Sequence, residues 1–268
     1  MLEFRPKFYM LYDKKAYNLF RNVGRFYFSE ESFRNNEYYV TYLFRLAQSC
    51  EMLGDFFGAE RYLKQLKQTY PEWNSETVAI ESEHLEIRRK RKRVEVECED
   101  KRLKAILENL VSVFFNIKKN IIAYVVENED EYITLARTKL GYLEEGNIPV
   151  YSGWAACGFY QRPGVHCLVF KKEFMSDDDD KLTGLCAHEL AHFEMYDTET
   201  VQHTLHGYEE SDIYLFREWT TDMHVIQRGF AYELFRDRAD HSESETRILT
   251  TQEIEHFVQK IADYSEML

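Results

Sequence analysis

Only four prolines and eleven glycines interrupt 268 residues, so most of the chain carries nothing that would break a helix. Turn-rich β architectures need more of these residues than the chain has, and a predominantly helical protein is expected. The apolar residues agree. Between Tyr38 and Tyr70 they recur at helical spacing in two runs, broken at Leu53-Gly54-Asp55 and stopped by Pro71, which predicts a helical hairpin. Lys14 to Phe33 and Ser75 to Lys92 are candidates for flanking helices. From Lys101 to Ile117 a further amphipathic helix is expected, with Leu103, Ile106, Leu107, Leu110, Val113, Phe114 and Ile117 along one side.

After this helix the pattern changes. Ile148-Pro149-Val150-Tyr151 and Val165-His166-Cys167-Leu168-Val169-Phe170 are short β-prone runs, separated by Gly153, Gly158 and Pro163-Gly164. They predict a small sheet, hence an α+β fold that is mainly helical. A boundary near residues 95 to 100 divides the chain into a helical part, 1–98, and a second part, 99–268.

A formal charge of −13 repels phosphate backbones and anionic membranes. The run Arg88 to Arg93 is an exception, but acidic Glu95, Glu97, Glu99 and Asp100 follow it and no aromatic residues are interleaved. It reads as the solvated face of a connecting helix, and no nucleic-acid partner is expected. Met1 to Lys7 lack the apolar run of a signal peptide, and no stretch approaches the roughly 20 apolar residues of a membrane span. A cytoplasmic protein with no membrane partner is expected. The five cysteines are scattered without a CxxC pair, so buried free thiols are expected. Asp177 to Asp180 precede a helical run, where Ser176 or one of the aspartates can cap it.

That run contains His188-Glu189-Leu190-Ala191-His192, framed by Leu182, Leu185, Cys186 and Phe193 at helical spacing. On a helix, His188 and His192 lie one turn apart on one face, where two imidazoles can hold a metal ion. Glu189 can then serve as general base toward a water on that ion. A catalytic zinc site normally takes a third protein ligand. The extension HExxHxxGxxH of the metzincins is absent, since Met195 and Thr198 occupy its glycine and third histidine positions. A second helix is expected from about Asp212 to Arg228, stopped by Gly229. Its Leu215, Glu218, Asp222 and Val225 form one stripe beside Trp219, Met223 and Ile226. Carboxylates in an apolar stripe are costly unless compensated; on an exposed face they would be ordinary. His203 and His206 are rival third ligands, with Glu209, Glu210 and Asp212 weaker ones. A donor for the developing oxyanion is also needed. His203, His206, Tyr208, Tyr214, His224 and Arg228 are all near enough in sequence, and the pattern does not choose.

With HExxH followed by Glu218-xxx-Asp222, residues 165 to 235 resemble the gluzincins, the thermolysin-like zinc metallopeptidases. The resemblance implies a zincin-like domain with a short sheet and two ligand helices. It also implies Zn2+ held by His188, His192 and Glu218, Asp222 bonded to His188, and hydrolysis of a peptide or protein substrate with Glu189 as base. The hairpin resembles a tetratricopeptide repeat. Leu43, Leu46, Ala47 and Cys50 match its first helix, Gly54 its turn, Phe56, Ala59, Leu63 and Leu66 its second helix, and Pro71 its terminal proline. This implies a surface for a protein partner. Two alternatives stand beside the peptidase. One is a helical-repeat scaffold whose zincin-like site has little peptidase activity. The other is a DNA-associated protease similar to the SprT-like zincins, using His206 and the basic run.

Overall fold

The break at Leu53-Gly54-Asp55 is built from two caps set back to back. The first helix of the hairpin ends at Gly54, whose φ of +85° lies in the left-handed region, and the Asp55 N–H donates to the Cys50 carbonyl across the turn (2.8 Å). Asp55 then caps the next helix by accepting from the Gly58 N–H. A Cβ at residue 54 would also meet the Ser112 carbonyl oxygen at 2.7 Å, so glycine is required by conformation and by space.

The chain is seen in a computed structural model that describes residues 2–29, 31–35, 38–74, 77–79, 81–83, 85, 94–140, 160–162, 165–197, 210–239 and 249–268. The basic run 88–93, the β-prone run 148–151, His203, His206, Tyr208 and Cys157 lie outside them. Helical turns at Pro6–Tyr9 and Met10–Asp13 lead into α1 (Tyr17–Ser29), α2 (Tyr39–Leu53) and α3 (Phe56–Thr69). Next come β1 (Val96–Cys98), α4 (Lys101–Val113), β2 (Asn120–Val126), α5 (Glu129–Leu135), β3 (Tyr160–Arg162) and β4 (Val165–Lys171). The last four helices are α6 (Asp179–Asp197), α7 (Glu210–Gln227), α8 (Ala231–Arg238) and α9 (Thr251–Ser265). The fold is α+β and mainly helical, and α2, α3, α4, α6 and α7 fall where the apolar spacing put them.

The sheet has the order β1-β2-β4-β3. β1, β2 and β4 run parallel, and β3 pairs antiparallel with β4 at the edge. Of these strands, the sequence pattern marked β4 and missed β1, β2 and β3. The run Ile121-Ile122-Ala123-Tyr124-Val125-Val126 has no polar alternation, so its periodicity fits a buried helix as well as a strand. Burial on both faces explains it. Alternate residues of β4 divide between two clusters: Leu168 and Phe170 pack into the main core, Cys167 and Val169 into a smaller one with Tyr132 and Ala136.

The main core is continuous from the first helices to the last. Phe8, Phe20, Leu43 and Leu46 share it with Leu103, Leu107, Leu190, Phe230 and Ile254. Cys50, Cys167 and Cys186 are buried free thiols and Cys98 is half-buried. Among the described residues, no helix is long and apolar enough to cross a membrane.

Candidate metal centre

α6 begins on Asp178, whose carboxylate accepts from the N–H groups of Asp180 and Lys181 (both 3.0 Å). One aspartate of the acidic run therefore caps the helix, and the others hold it in place. Asp180 pairs with Arg25 and Arg61, and Asp179 with Arg102. Where α6 passes α8, a Cβ on Gly184 would meet the Glu233 carbonyl oxygen at 2.2 Å. No other residue allows this approach, which brings α8 against the motif helix.

One turn beyond Gly184 the helix presents His188, buried, and His192, half-buried, toward α7. The His188 Nδ1–H donates to Asp222 Oδ1 (2.8 Å). His192 Nδ1 lies 3.1 Å from the Thr221 hydroxyl. That hydroxyl has one hydrogen, which it donates to the Arg217 carbonyl at 2.8 Å, so it accepts from the His192 Nδ1–H. Both Nδ1 atoms are thus committed outward, and both Nε2 atoms point into one space. They stand 3.1 Å apart. The Glu218 carboxylate completes the triangle, with Oε2 3.2 Å from His188 Nε2 and Oε1 3.5 Å from His192 Nε2.

These distances test whether a metal fits. Three atoms bound to one zinc ion at about 2.0–2.1 Å, at tetrahedral angles, lie about 3.3 Å from one another. The spacings are on that scale, each imidazole nitrogen meeting a different oxygen of the one carboxylate, and two nitrogens with a carboxylate are an ordinary donor set for zinc. Among the described residues, His188, His192 and Glu218 are the group of potential ligands that converges in this way.

The surrounding charge has the sign a cation needs. Burial alone would lower the His188 pKa, but hydrogen bonds to Asp222 and Glu218 raise it to about 10. Burial would raise Glu218, yet its contacts with His188 and His192 hold it well below the usual carboxylate range. Asp222, fully buried, is also held low: burial opposes this, and Arg238 and His188 outweigh it. Glu189 differs. It is buried, and that burial raises its pKa despite the opposing influence of the two histidines. Among the described residues its carboxylate has no hydrogen-bond partner, which leaves it available for proton transfer.

Two residues of the site carried no sequence signal. Thr221 looked like any helical threonine, because bonding to the carbonyl four residues back is common. Arg238 follows α7 by one helix, and its Nη2 donates to Asp222 Oδ1 (3.1 Å). In contrast, His224 and Arg228, considered above as oxyanion donors, are committed elsewhere. The His224 Nε2–H and both Arg228 donors meet the buried Glu194 carboxylate at 2.7 to 3.0 Å, which also accepts from the Asn116 N–H. They join α7 to α6 and to the turn after α4. Trp219, which borders the apolar stripe in sequence, is solvent-exposed.

Comparison with known proteins adds no relative. No family model, curated protein or solved structure matches the chain. The reading of the site therefore rests on its own geometry.

Proposed function

We propose that the protein is a zinc-dependent peptidase in which His188, His192 and Glu218 are the metal ligands and Glu189 is the general base. The observation that carries this reading is the triangle of inward-facing donor atoms, sized for one ion and backed on each imidazole by an outward hydrogen bond. Bound zinc would supply Lewis acidity, polarising a water and the amide carbonyl to be cleaved. Everything else is done by the chain. Asp222 and Thr221 keep the two rings in the tautomer that turns Nε2 inward. Glu189 accepts a proton from the attacking water and passes it to the leaving amine. The α2–α3 hairpin, with its tetratricopeptide-like pattern, is the proposed surface for a protein substrate or partner.

A scaffold that holds metal for stability is the competing reading, and the burial of His188 favours it. Glu189 favours the peptidase. A carboxylate buried beside a purely structural site costs stability and returns nothing. Glu189→Gln should keep the zinc content of the wild type and lower cleavage of a generic peptide library by about 10²- to 10⁴-fold. Equal cleavage by the variant would overturn the mechanism. Zinc without turnover in the wild type would move the reading to the scaffold.

A further inference from the structure

The Asp222 carboxylate is fully buried and fixed by donors from three separate parts of the fold. Its Oδ1 accepts from His188 Nδ1 on α6 (2.8 Å) and from Arg238 Nη2 at the end of α8 (3.1 Å). Its Oδ2 accepts from the Leu249 N–H just before α9 (2.9 Å). Arg238 is itself 9% exposed. Its Nη1 pairs with Asp237, and its Nη2 also lies 3.3 Å from His188 Nδ1. Among the described residues its buried Nε–H has no partner. An unmet buried donor costs stability, a cost that an apolar side chain filling the same space would avoid.

The position of Arg238 is set from outside the metal centre. α8 is pressed against α6 at Gly184, and its Glu233 is held by Arg21 and Arg25 of α1. The guanidinium is therefore delivered to Asp222 by the fold. At that point one carboxylate oxygen is shared between a cation and an imidazole N–H. A carboxylate behind a ligating imidazole orients the ring and strengthens it as a ligand. A guanidinium on the same oxygen fixes the plane of the carboxylate, and through it the orientation of the imidazole.

We infer that Arg238 is a positioning residue for the metal centre, acting through Asp222 on His188 and thereby setting metal affinity. The inference rests on the metal-site reading above but not on peptide hydrolysis. Its test is zinc affinity of the full chain, measured by competition with a chromophoric chelator, together with the visible spectrum of the Co2+-substituted protein. Arg238→Gln is expected to weaken zinc binding about 10- to 100-fold and to shift the Co2+ bands, which report ligand geometry. Combined with Asp222→Asn, its effect should be markedly less than additive, because both act through one hydrogen-bonded chain. Arg238→Lys keeps the charge without the planar fork and serves if the Gln variant fails to fold. It should weaken zinc binding at least about threefold, the effect of one lost hydrogen bond. A folded Arg238→Gln or Arg238→Lys with unchanged zinc affinity and Co2+ spectrum would overturn the inference while leaving the metal site standing. Full additivity with Asp222→Asn would do the same. A wild-type chain that binds no zinc would overturn the metal site and this inference together.

Discussion

Two groups of buried charges lie in this molecule, and they are built on opposite plans. The first joins α1, the turn at Asp55, α3, α4, α6 and α8, with Arg61 at its exposed rim. Arg21 donates to Asp55 and Glu233, Arg25 to Glu233, Asp180 and the Tyr62 hydroxyl, and Arg61 to Asp180. Asp55 also accepts from Gly58 and Asn109. Three cations meet three anions, and each guanidinium donates to at least one carboxylate. The second group, around His188, sets four carboxylates, Glu189, Glu218, Asp222 and Asp237, near a single guanidinium, Arg238. Its two imidazoles face each other across 3.1 Å. The first group is complete as it stands. The second has an excess of negative charge and inward-facing donor atoms, the arrangement expected of a cation site. Charge that balances internally points to structure; charge that does not points to a ligand.

The sharpest way to break this contrast is to unbalance the closed group. Arg21→Met leaves Asp55 and Glu233 buried with one counter-ion fewer, and should cost about 3–5 kcal/mol in urea-induced unfolding. A loss under about 1 kcal/mol would mean the group is not a structural clamp. Because Glu233 sits on α8, the same variant also tests whether the first helices stabilise the part of the chain that carries the metal centre.

The closed group should also have an acid signature. Burial would raise the Asp55 pKa, but Arg21, Asn109 and Gly58 lower it to about 2 from an ordinary 3.8. A depressed carboxylate stabilises the fold above its unfolded pKa, and that stability is lost as pH falls from about 4 toward 2. The shift corresponds to about 2 kcal/mol. Asp55→Asn should therefore flatten the dependence of unfolding free energy on pH in that window. An unchanged slope would show that Asp55 is not depressed.

At the open group the smallest change is Thr221→Val, which removes the acceptor for the His192 Nδ1–H while keeping the shape of the side chain. Zinc affinity should fall about tenfold, or about 1.4 kcal/mol, with hardly any change in thermal stability of the chelator-treated protein. An equal loss of stability without a change in affinity would make Thr221 a packing residue.

The helical hairpin, the motif helix and the stripe of α7 were legible in the sequence because each is a local pattern. Helical spacing places His188 beside His192 and Glu218 beside Asp222 before any tertiary contact is known. What was illegible depends on contacts distant along the chain. Arg21 and Glu233 are 212 residues apart, and nothing in the spacing of either marks the other. Arg238 reaches Asp222 only because Gly184 lets α8 approach α6. β2 was missed for a different reason: a strand buried on both sides has lost the alternation by which strands are recognised.

Zinc stoichiometry of the wild type, Glu218→Ala and His206→Ala, measured by elemental analysis after dialysis, tests the metal centre most directly. The expected result is one zinc per wild-type chain, a marked loss in Glu218→Ala, and wild-type content in His206→Ala. Unchanged zinc in Glu218→Ala, with loss in His206→Ala, would contradict the geometry described for α6 and α7.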